Sequence, residues 1–119
     1  MPLLHEIKDD NKMDNNSMDM IAFQIISNVG TAKSLLMEAL YDAKEGKYQS
    51  AEEKMVEANT YFVEGHRYHS RLIQQEAAGK KTEFSILFMH AEDQLMTTEL
   101  LSQLVTEMID MYKKMDGIK

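Results

Sequence analysis

The sequence predicts an all-α protein, an antiparallel three-helix bundle running up-down-up. Three observations carry that prediction. One proline and five glycines among 119 residues are too few turn residues for a strand-rich fold. Eleven methionines sit among many Ala, Leu, Glu and Lys residues, a helix-forming composition. Apolar residues recur at spacings of three and four along successive stretches of similar length, joined by short polar links.

Residues 1–17 stand apart. Five acids and two lysines fall within the first twenty positions, and Asn11, Asn15, Asn16 and Ser17 interrupt any apolar period. Such a segment buries too little surface to offset its ordering entropy, so a mobile acidic tail is expected, followed by a single domain over 18–119.

The first helix is expected to begin at about Met18. Ala22, Ile25, Val29, Ala32, Leu36, Ala39 and Ala43 form one apolar stripe. Asp19 and Lys44 complement the helix dipole at the two ends, and Gly46 supplies a left-handed stop. Ser50-Ala51-Glu52-Glu53 reads as a capping box opening the second helix. That helix carries Ala51, Met55, Ala58, Phe62, His69 and Leu72 on one face to about Ala77, before Gly79-Lys80-Lys81.

Thr82 is the expected cap of a third helix over about Glu83 to Met115. Phe84, Phe88, Ala91, Leu95, Val105, Ile109 and Tyr112 suffice to pack it against the other two. A second stripe holds Ile86, His90, Asp93, Thr97, Leu100, Leu104 and Met111, with heptad character. A lone bundle gives that stripe no partner, so a symmetric oligomer built around the third helices is expected.

Composition narrows the function. Thirteen basic and twenty acidic residues give a net charge of −7, which argues against nucleic acid as a partner. The absence of cysteine removes disulfides, thiolate metal sites and catalytic thiols. Met1 to Asp10 has no apolar core of signal-peptide length, and no stretch reads as a membrane span of roughly 20 apolar residues. A cytoplasmic, soluble protein is expected.

Four histidines could do chemistry. His5 lies in the tail. His66 and His69, three apart, share a face of the second helix and read first as partly buried, hydrogen-bonded side chains, and second as site residues. His90 and Asp93 share a face of the third helix, on an otherwise apolar seam where both need a partner. Asp93 repeated about a symmetry axis would cluster like charges and call for a cation. The Glu-x-x-His pattern of di-iron bundles, the P-loop and the Gly-x-Ser-x-Gly elbow do not occur.

Phe88-Met89-His90-Ala91-Glu92-Asp93-Gln94-Leu95-Met96-Thr97-Thr98 resembles the signature of the enzyme IIA component of lactose/cellobiose-type bacterial sugar phosphotransferase systems, His-Ala/Gly-Gln-Asp-His-Leu-Met-Thr. Ile26-Ser27-Asn28-Val29-Gly30-Thr31-Ala32-Lys33-Ser34 resembles the family's first-helix segment, and Glu64-Gly65-His66 its Glu-Ala-His. The likeness spans residues 20–115 in order through all three helices. It implies a homotrimer in which His90 takes phosphate from the carrier protein HPr and passes it to the IIB component, for a sugar entering through the membrane component IIC. It implies that three copies of Asp93 hold one divalent metal, usually Mg2+, on the trimer axis as a structural ion. His66, His69 and Gln94 are candidate neighbours of His90, and Phe88, Met89 and Leu95 candidate docking residues.

Two positions depart from the signature: its Gln is Glu92 and its second His is Gln94. Glu92 adds negative charge beside a group that must accept phosphate. Gln94 keeps a hydrogen-bond donor but cannot titrate. Two rival readings remain open, a helical self-association module without catalysis and a bundle with a catalytic metal held by His66, His69, His90 and Asp93. Neutral imidazole suits the carrier role, because its free lone pair can attack phosphorus and hold the phosphoryl group as a reactive intermediate.

Overall fold

The computed structural model describes residues 18–81 and 85–118. They form three α-helices: α1, Met18–Lys44; α2, Tyr48–Ala77; and α3, Ile86–Met115. Cross-contacts fix their directions. Asp42 of α1 meets Ser50 and Lys54 of α2, while Val29 lies level with Gly65. Glu52 pairs with Lys113 of α3, and His69 with Glu92. Each helix therefore runs opposite to the one before it, as the sequence predicts. The expected tail, residues 1–17, lies outside the described residues.

The predicted stripe of α1 is buried throughout, from Ala22 to Ala43, with Ile21 added at its start. α1 packs extensively along both other helices, whereas α2 and α3 touch each other sparsely. Two apolar clusters result. At one end Ile21, Ile25, Val29, Leu72, Ala91 and Leu95 pack together with Phe88 and Tyr68. At the other, alanines 32, 39, 43, 51 and 58 bring the backbones close around Leu36, Val105 and Ile109. Phe62 touches both. Each buried Ile, Leu or Val contributes about 1.5–3 kcal/mol, so the bulkier cluster anchors the end that carries His90.

Gly46, at φ 79°, ends α1: its N–H donates to the Ala43 carbonyl at 3.0 Å, and Lys47 N–H to that of Asp42 at 2.8 Å. Two caps differ from expectation. α2 starts at Tyr48, before the anticipated capping box, and Ser50 donates to the Asp42 carboxylate at 2.6 Å instead of capping. Because α2 begins earlier, Ser50 already lies inside its first turn, and its hydroxyl donates to the ionised acceptor on α1. Ser85 caps α3, its extended backbone (φ −138°, ψ 156°) preceding the helix and its hydroxyl accepting from Phe88 N–H at 2.9 Å. Thr82, Glu83 and Phe84 lie outside the described residues.

α1 also contains a stretch long and apolar enough to cross a membrane, which departs from the sequence expectation. Its buried stripe packs on α2 and α3, and Ser27, Thr31, Lys33 and Ser34 face solvent. That is the pattern of a core helix.

Candidate functional site

The first stripe of α3 turns inward: Ala91, Leu95, Val105 and Ile109 are buried, and Phe88 and Tyr112 partly so. Thr98 joins them in the core, filling the step between Leu95 and Val105. The second stripe faces outward. Ile86 is 87% exposed, and Leu100, Leu104 and Met111 are exposed with it. Met89, Met96, Met108 and Met115 widen the seam, so an apolar strip interrupted at His90, Asp93 and Thr97 runs the length of the helix. Monomers rarely leave such a strip uncovered.

His90 and Asp93 both lie on this outward side and both are exposed. Among the described residues neither side chain has a hydrogen-bond or ion-pair partner. The backbone around them is regular. Thr97 Oγ1 donates to the Asp93 carbonyl at 2.8 Å and leans on that of Gln94 at 3.3 Å. Gln94 is partly exposed, one helical turn beyond His90.

At about 100° per residue, His90 and Glu92 project from opposite flanks of α3. Glu92 turns to α2, where its Oε1 contacts Nε2 of His69. The carboxylate can only accept, so Nε2 of the ring carries the proton. His66, exposed one turn before His69, lies tilted between its neighbours, its ring 6.3 Å from that of His69 and 6.4 Å from that of Phe62. Within one chain, then, the structure pairs His69 with Glu92, sets His66 beside His69, and leaves His90 with Asp93 on the open face. Sequence reasoning missed the His69–Glu92 contact.

Where α2 and α3 separate, a groove of about 410 Å³ opens between Leu72, Ile73 and Glu76 on one side and Phe88, Met89, Glu92, Asp93 and Met96 on the other. Its lining mixes apolar side chains with the carboxylates of Glu76, Glu92 and Asp93. In Glu64-Gly65-His66, Arg67 pairs with Glu64 from one turn on along the same helix, and that hydrogen bond holds the Glu64 carboxyl below the usual range. Among the described residues no group of three His, Asp or Glu side chains is placed to hold a metal within one chain. The catalytic-metal arrangement of His66, His69, His90 and Asp93 is therefore not formed.

The family model for the lactose/cellobiose-specific IIA subunit of the phosphotransferase system matches residues 20–113. The chain belongs to that family. Its relatives include the lactose-specific EIIA component of Staphylococcus epidermidis, 37% identical over 86% of this chain and 98% of that one. The cellobiose-specific enzyme IIA of Bacillus anthracis superposes with a TM-score of 0.84 at 45% identity, covering 90% of this chain and 97% of the other. The chitobiose IIA subunit of Escherichia coli, solved in complex with HPr, gives a TM-score of 0.74 at 31% identity over 85% and 98%. As an IIA subunit, the chain is a phosphoryl-carrying transferase component of sugar uptake. The self-association module without catalysis is not the reading these relatives favour.

Proposed function

We propose that this IIA subunit accepts a phosphoryl group from phosphorylated HPr on His90 and hands it to a IIB component, on the cytoplasmic side, during uptake of a disaccharide through IIC. The observation that carries the assignment is the placement of His90: exposed, free of protein partners among the described residues, and mounted on a regular helix beside an apolar groove. A relative of the same fold was solved with HPr bound, which supports HPr as the donor.

In the transfer, one ring nitrogen of His90 uses its lone pair to form a new N–P bond as the donor's N–P bond breaks. The proton on the other ring nitrogen of His90 is released, and the departing donor ring takes one up. The transition state is loose, so the protein contributes position more than bonding, and a rigid helix supplies it. Transfer to IIB reverses the roles: the N–P bond on His90 breaks as the IIB acceptor takes the phosphoryl group, and the His90 ring takes up a proton. Phe88, Met89 and Leu95 help shape the surface around His90, Leu95 from beneath, and Gln94 offers an amide N–H near the phosphoryl oxygens.

The outward seam of α3 supports a homotrimer about that helix. One exposed Asp93 per chain, flanked by Met89 and Met96, would then meet two others at the axis. Carboxylate oxygens are hard ligands and fit a divalent cation such as Mg2+. Bound there, the ion would neutralise clustered charge and take no part in the transfer.

Incubation with phosphoenolpyruvate, enzyme I and HPr tests the assignment. One acid-labile phosphate per chain is expected, and none on His90→Ala. Equal labelling of that variant would assign the phosphate elsewhere and remove His90 from the mechanism.

A further inference from the structure

Glu92 places a carboxylate two residues from the proposed acceptor, where the family signature carries a neutral amide. A phosphoryl group on His90 is itself multiply negative, so a free carboxylate on the same helical turns would oppose its arrival. The structure shows where that charge goes. Glu92 Oε1 meets the Nε2–H of His69, a ring whose side chain is only 16% exposed, while the glutamate side chain is 33% exposed. The ring is largely buried where α2 meets α3, which limits its freedom to turn and gives its donor a direction.

We infer that His69 is a positioning residue for the transfer: it keeps the Glu92 carboxylate on the α2 flank of α3, away from the phosphoryl group on His90. The inference rests on His90 being the acceptor. It assigns His69 no contact with substrate. Its role is to tether one oxygen of a carboxylate that already lines the groove with Glu76 and Asp93, so that this charge is turned to the ring N–H and not toward His90.

The test is a rescue experiment on the full chain. Phosphoryl transfer from phosphorylated HPr is followed in single turnover for the wild type, His69→Ala, His69→Gln and His69→Ala/Glu92→Gln. Releasing one carboxylate toward the transferring group should slow His69→Ala on the order of tenfold. Removing the charge in the double variant should recover most of that loss, and His69→Gln, which keeps an N–H donor, should lose less than His69→Ala. A purely structural loss would not be rescued by Glu92→Gln. Wild-type rate in His69→Ala, or a double variant as slow as the single one, overturns the inference. Should His69→Ala unfold, nitrogen NMR of the wild-type ring decides instead: a proton on Nε2 is expected, and its absence there overturns the inference. A wild-type protein that takes up no phosphate at all would defeat the carrier assignment itself, a different result from an unrescued variant.

Discussion

Gly65 of α2 lies so close to Val29 of α1 that a Cβ on the glycine would stand 2.8 Å from Val29 Cγ2. Val29 is fully buried and β-branched, so its methyl cannot swing aside. Gly65→Ala gains about 1 kcal/mol of helix propensity. It loses about 1–3 kcal/mol to overpacking. A net loss of about 1 kcal/mol is expected, read as a lower urea midpoint. In a Val29→Ala background the clash is gone and Gly65→Ala should stabilise instead. Stabilisation of the wild type by Gly65→Ala would show that the two helices separate freely here.

Thr98 is the buried side chain among the described residues whose hydroxyl finds no partner. It sits between the two apolar clusters, where leaving a polar group unpaired costs about 1–3 kcal/mol. Thr98→Val keeps the branched shape and removes the hydroxyl. It should raise the urea midpoint, by about 1 kcal/mol of stability at fixed protein concentration. A drop of similar size would mean that the hydroxyl is bonded in solution.

The stripe of α1 is legible from Ala22 through Val29 to Ala43, all but Ile21 at its start, because burial there follows a strict helical period. The seam of α3 was legible for the complementary reason: Ile86, Leu100 and Leu104 exceed what one bundle can cover. Caps were less so. Ser50 satisfies every local rule for capping, yet its hydroxyl turns to Asp42, eight residues away on another helix. The same limit hid the His69–Glu92 contact. Its residues stand 23 apart, and their meeting depends on the vertical register of two antiparallel helices, which no periodicity encodes. His90 and Asp93 could be found because each interrupts an apolar seam; Glu92 interrupts nothing.

Tyr48, at the start of α2, donates its hydroxyl to Asp116 just beyond α3. The hydrogen bond to Asp116, then burial, pushes the phenol up to about 12 from its ordinary 10. A raised folded-state value favours the protonated phenol, so this tie contributes fully below about pH 10 and is lost as pH rises through about 12. Tyrosinate absorbance should show one late-titrating ring among the five tyrosines. Tyr48→Phe should abolish that phase, and Asp116→Asn should move it down toward 10. A late phase that survives in Tyr48→Phe assigns it to another tyrosine.

Asp93 gives the sharpest test of the proposed trimer. Two carboxylates 4 Å apart repel by about 4 kcal/mol at an effective dielectric of 20. Three of them on one axis therefore need a cation, whereas the surrounding Met89, Met96 and Leu100 favour association. Chelation should accordingly shift the wild type toward monomers in sedimentation experiments at neutral pH. Asp93→Leu removes the repulsion and extends the apolar seam, so it should remain trimeric in chelator. If Asp93→Leu dissociates while the wild type stays assembled without divalent metal, the carboxylate makes a different contact, and the axial ion has no role in holding the subunits together.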